Sequence, residues 1–212
     1  MTCTGPARRD GDTEMTRRLA PALMAAVIIV ALGACIPGTY LDPLDNYTRG
    51  LRLFDRGQPE NAILFWKPLA EKGDCDAQYR YGTLFFLGAG VPQSFDLARD
   101  WWSKAANQGQ YRAQLMLATA HGHRSVTTGS FVRAFRVDCR QGCGVPRDLQ
   151  RAYEWLRLAR DLVPRNLEAF RQQANLEIVD LEAELTPAQR ADAEHRISDW
   201  IPSPARCVPR EL

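Results

Sequence analysis

A repeat at an offset of 36 residues constrains this chain more than any other feature. Residues 61–73 align with residues 97–109, so that Ala62 meets Ala98, Trp66 meets Trp102, Ala70 meets Ala106 and Gly73 meets Gly109. The same offset pairs Ala77-Gln78 with Ala113-Gln114 and Gly82 with Ala118. A second offset, 54, links Gly90-Val91-Pro92 to Gly144-Val145-Pro146, Ala98 to Ala152 and Trp101 to Trp155. The excess of 18 places an insertion inside the third unit, within about residues 122–143. A unit of this size cannot bury its apolar face alone and must stack on copies of itself. Small residues at 62, 82, 98 and 152 allow helices to approach closely. Trp66, Trp101, Trp102 and Trp155 fill the space between them with large apolar area. Pro92 and Pro146 forbid a helix from running through the intervening turn.

Ala, Leu, Arg, Gln and Glu dominate, and strand-like alternation is hard to find, so the class reads as all-α. The 27 basic and 25 acidic side chains nearly cancel. Such a balance gives no field to draw in nucleic acid. No nucleophile elbow, phosphate loop or His-Glu-x-x-His occurs. The chain reads as a non-enzyme with no cofactor.

Two strings carry a family resemblance: A-Q-Y-R-Y-G-T-L-F-F-L-G-A-G-V from Ala77, and D-L-A-R-D-W-W-S-K-A-A-N-Q-G from Asp96. Together they resemble the SEL-one-like repeat, a relative of the tetratricopeptide repeat. The resemblance implies a short right-handed α-solenoid of antiparallel helix pairs over residues 47–163. It also implies a surface for binding a protein or peptide. The first unit is shorter, with Gly57-Gln58-Pro59 at its turn, and the third is interrupted.

Beyond Pro164 a capping helix pair is expected over residues 164–200. Leu167, Phe170, Ala174, Ile178, Leu181 and Leu185 form one apolar stripe. Gln172, Gln173, Glu177, Asp180, Glu182 and Glu184 are expected on a polar outer face. Thr186-Pro187-Ala188-Gln189 reads as a capping box, and the last helix should reach Trp200. Residues 201–212 read as an irregular tail.

At the N-terminus, Arg17-Arg18 precede an apolar run of 16 residues from Leu19 to Ala34, ending Leu32-Gly33-Ala34-Cys35. The run is short for a membrane span, which needs about 20 apolar residues. A charged start, an apolar run and small residues before a cut make a secretory signal, here residues 1–34, with Met15 a possible true start. Leu-Gly-Ala-Cys resembles a bacterial lipobox. It implies a lipid on Cys35, an anchor and linker over residues 35–46, and a site in the cell envelope. With Ile36 after the cysteine, the outer membrane facing the periplasm is expected.

Four cysteines remain, an even number suited to an oxidising compartment. Cys75 falls just before a helix expected near Ala77, whereas Cys139 and Cys143 fall in a turn at the opposite helix end. A helix of about 12 residues spans about 18 Å, against a ceiling of roughly 7 Å for bridged Cα atoms. Cys139–Cys143 is therefore the first choice. Cys75–Cys207 is within reach of the tail, and a buried free Cys75 is an equal alternative. An alternative function, an envelope enzyme or a metal- or thiol-active protein, centres on the insertion. There His121 and His123 join Cys139 and Cys143, although the offset of 36 sets His121 opposite Phe85 in an aromatic packing slot. Phe86 and Leu87 form an apolar excess. With Phe131 and Phe135 of the insertion they are a candidate partner surface, residues 131–137 docking across the preceding turn.

Overall fold

The computed structural model describes residues 43–122, 139, 142–202, 207 and 210. These form eight helices and no strand among the described residues. They are α1 (Pro43–Asp55), α2 (Pro59–Glu71), α3 (Cys75–Leu87), α4 (Phe95–Asn107), α5 (Tyr111–Ala120), α6 (Leu149–Leu162), α7 (Glu168–Glu184) and α8 (Pro187–Asp199). Each of α1 to α6 packs on the next, and both α7 and α8 pack on α6. This is an α-solenoid of three helix pairs closed by a fourth.

Local chemistry sets the ends. Asp74, Ser94 and Asp148 each accept the backbone N–H three residues on, starting α3, α4 and α6. That cap makes α3 begin at Cys75, two residues ahead of the expected Ala77. Thr186 and Gln189 cap α8 reciprocally, with Pro187 in the first turn. Gly90 and Gly144 hold φ of +71° and +74° in equivalent turns. A Cβ on Gly90 would meet the Glu60 backbone N–H nitrogen at 2.7 Å, and one on Gly144 would meet Phe95 Cβ at 2.8 Å. In both cases the turn presses on the start of the preceding unit's second helix, so glycine is required twice over.

The core divides by stacking level, as a quasi-one-dimensional fold should. Tyr47, Trp66, Tyr81 and Leu84 fill the first level. Phe86, Trp102, Met116 and Leu117 fill the second, together with Cys139 and Cys143. Tyr111, Leu115, Tyr153, Leu156, Ile178 and Leu181 fill the third, beneath the cap.

The repeat extends to single hydrogen bonds. Gln78 Nε2 donates to the Ala70 carbonyl and Gln114 Nε2 to the Ala106 carbonyl, each at 3.1 Å. Trp66 Nε1 donates to the Tyr47 carbonyl and Trp102 Nε1 to the Tyr79 carbonyl, each at 3.2 Å. The third unit replaces the tryptophan with Leu156, also fully buried.

The cap departs from its expected polarity. Glu177 is buried rather than outward-facing. It lies three residues after Ala174 and four before Leu181, which puts it on the same stripe. Gln172, Asp180 and Glu184 are exposed as expected, and Leu176 and Val179 are exposed beside them.

Candidate functional site

Ala62, Ala98, Ala152 and Gly82 are buried at the helix contacts, with Trp66 and Trp102 each 1% exposed. Trp101 and Trp155 are only half-buried. Trp101 lies edge-on to Tyr81 with its ring centroid 5.1 Å away, and the Lys104 ammonium sits 3.9 Å from its centre. Phe86 offers no partner surface. It is 1% exposed because it is wedged between Phe95 and Trp102, at centroid distances of 5.6 and 5.2 Å. Leu87 is half-buried beside the same cluster. Cys35, His123, Phe131 and Phe135 lie outside the described residues, as does the docking of residues 131–137.

Cys139 and Cys143 are joined by a disulfide, buried against the second core level. Their thiolates are therefore not free to ligate a metal with His121. His121 ends α5, and its Nδ1 is buried without a partner among the described residues. Burial pushes its pKa below the ordinary value, with the nearby Asp148 carboxylate opposing. The ring borders a cleft of about 560 Å³, also lined by Arg147, Gln150, Glu184 and Gln189. Arg147 and Glu184 pair across it at 3.2 Å.

A polar cluster lies where Cys207 and Arg210 meet the first two units. Cys207 is bridged to Cys75, the first residue of α3, across 132 positions of sequence. Its backbone N–H donates to the Gln108 carbonyl at 2.7 Å. Arg210 Nη1 and Nη2 donate to the two carboxylate oxygens of Asp74, at 2.9 and 2.6 Å. The Arg210 backbone N–H donates to Asp76 Oδ2 at 2.8 Å. Asp76 Oδ1 accepts from Gln110 Nε2 at 2.5 Å. The Arg210 guanidinium also stacks on the Tyr47 ring, 4.6 Å from its centroid. Tyr47 in turn accepts from Arg80 Nε at its hydroxyl, at 3.4 Å.

Electrostatics follow from this packing. Asp76 is 1% exposed, and burial raises its pKa against the opposing pull of Arg210 and Gln110. Burial likewise raises the Tyr47 hydroxyl, with Arg80 opposing. Both carboxylates sit at the α3 N-terminus, whose dipole favours negative charge. Cys75, Asp76 and Cys207 bring three potential metal-ligand atoms within 4.8 Å of one another, but the two sulfurs are bonded to each other. Sequence reasoning left a Cys75–Cys207 bridge and a free Cys75 as equal alternatives, of which the structure has the bridge, and it missed Tyr47, Asp74, Asp76, Gln110 and Arg210. Only Asp74 left a signal, as a helix cap; a single arginine outside the repeats has no pattern to read.

The Sel1 repeat profile matches residues 75–110 and 140–162. These stretches cover α3 and α4, and the end of the insertion with α6. Among solved structures, the chain is similar to a protective antigen present in uropathogenic Escherichia coli strains and displaying an SLR fold. Identity is 23%, the TM-score is 0.55, and the match covers 76% of this chain and 30% of that one. This chain thus spans less than a third of that protein, and the likeness concerns the fold. No curated protein matches it. The chain carries Sel1 repeats, and repeats of this kind generally mediate protein–protein interaction and typically serve as non-enzymatic scaffolding. Among the described residues, no helix is long and apolar enough to cross a membrane.

Proposed function

From a chain that carries Sel1 repeats, we propose a lipid-anchored bacterial envelope protein that binds a protein or peptide partner through its repeat surface. The observation that carries the proposal is the pair of disulfides in a solenoid of this class. Bridges form and persist in oxidising compartments, and the Leu-Gly-Ala-Cys signal leads to one. The lipid on Cys35 would hold the repeats at the outer membrane, on its periplasmic side, without a membrane-spanning helix. Nearly balanced charge directs recognition towards local contacts, with no nucleic acid and no cofactor involved.

Metabolic labelling with a radioactive fatty acid tests the anchor. The wild-type chain should take up label and run as the processed form, whereas Cys35→Ala should stay unlabelled and larger. Normal processing and labelling of that variant would reject lipidation. Crosslinking in intact cells tests the binding role, with the expected product a defined complex that forms through the repeat units.

A further inference from the structure

We infer that Tyr47, Asp74 and Asp76 form a recognition site for an arginine-bearing extended peptide, and that the chain's own Arg210 occupies it while the Cys75–Cys207 bridge is closed. This deepens the protein-binding reading above and rests on it.

The contacts define the ligand chemistry. Asp74 meets both Nη atoms of one guanidinium, a two-point match that a lysine ammonium cannot reproduce. Asp76 accepts a backbone N–H from the same residue, so the site reads main chain as well as side chain. Tyr47 supplies a face for the guanidinium. Nothing else among these contacts uses the acidic pair fully. Asp74 caps α3 through Ala77, and Asp76 retains Gln110. With Arg210 gone, Asp76 loses the backbone N–H that meets Oδ2 and keeps Gln110 on Oδ1. A peptide arginine restores what is lost.

The bridge decides which arginine is bound. Tethered through Cys207, Arg210 competes at the high effective concentration of an intramolecular ligand. Opening the bridge is a thiol–disulfide exchange with a dithiol oxidoreductase. A donor thiolate attacks one sulfur and forms a mixed disulfide, and the donor's second thiol then displaces it. Cys75 and Cys207 leave as two thiols, and the donor leaves as a disulfide. Arg210 is then held only by the chain that follows Trp200, its effective concentration falls, and a partner peptide can displace it.

The probe is a fluorescein-labelled peptide of residues 201–212 carrying Cys207→Ser, titrated against the full chain by anisotropy. Oxidised wild type should bind at least tenfold more weakly than the chain carrying Cys75→Ser, Cys207→Ser and Arg210→Ala. On the latter, an Arg210→Ala or Arg210→Lys probe should lose at least tenfold. Adding Asp74→Asn or Asp76→Asn to that chain should lose as much, and asparagine preserves the Asp74 cap. Circular dichroism confirms that each variant keeps its helices. Equal binding of arginine and alanine probes would overturn the site. So would absent binding to the untethered, helical chain, or equal affinity for the oxidised wild type. Cellular crosslinks through another face would then leave the protein-binding reading intact while this site fails.

Discussion

A Cβ built on Gly82 would lie 2.8 Å from Cδ1 of Trp102 and 3.0 Å from the Ala98 carbonyl oxygen, so α3 and α4 close on each other only because residue 82 has no side chain. The first unit repeats the arrangement with Gly50 against Trp66. The third unit solves it differently, with Ala118 and Leu156, both fully buried. Glycine with tryptophan, and alanine with leucine, are two ways to fill one space.

Gly82→Ala should therefore cost about 1–3 kcal/mol by overpacking. Adding Trp102→Leu should cost less than the sum of the two single changes, because it imports the third unit's solution. Urea denaturation of the four chains measures the coupling, and strict additivity would show that the two positions do not share one space.

Trp102→Ala should cost about 3–5 kcal/mol, as truncation of large buried aromatics does. Trp101→Ala should cost clearly less, since that ring is half-exposed. Melting curves for the two variants should separate widely; matching shifts would mean that the wrong tryptophan was assigned to the stack.

Removing the Cys75–Cys207 bridge should destabilise the chain more than removing Cys139–Cys143. The first closes a segment of 132 positions and the second one of 4. The chain-entropy relation makes the difference about 3 kcal/mol. Serine variants of each pair, unfolded in denaturant without reductant, give the comparison, and a reversed order would contradict it.

His121 predicts a pH effect of known sign. Burial lowers its folded pKa from 6.5. As pH falls, the unfolded chain takes up the proton first. Stability from the neutral ring is thus present above about 6.5 and is lost as pH falls through the lower folded value. His121→Phe places the equivalent of Phe85 in that slot and removes the titration. The melting temperature of wild type should fall more than that of His121→Phe between pH 7.5 and 5.5, and parallel curves would show that the imidazole does not contribute.

How much of this was legible depended on whether a feature repeats. Ala62, Ala98, Trp66 and Trp102 recur at one offset, and recurrence turns packing into a pattern. Thr186 and Gln189 were legible because a capping box is local, complete within four residues. Glu177 was misplaced because composition suggested an outer face, whereas helical geometry sets it between Ala174 and Leu181 on the inner one. Phe86 was misread because its cover, Phe95 and Trp102, comes from another helix.

The sequence by itself determined the helix pairs, their period, the interrupted third unit and the cap, since each follows from short-range spacing and local capping chemistry. Only the tertiary structure decided where the tail goes. Arg210 meets Asp74 across 136 positions, and no local rule joins residues so far apart. That contact exists because the solenoid brings the starts of α1, α3 and α5 together, and the Cys207 bridge holds the returning chain against them.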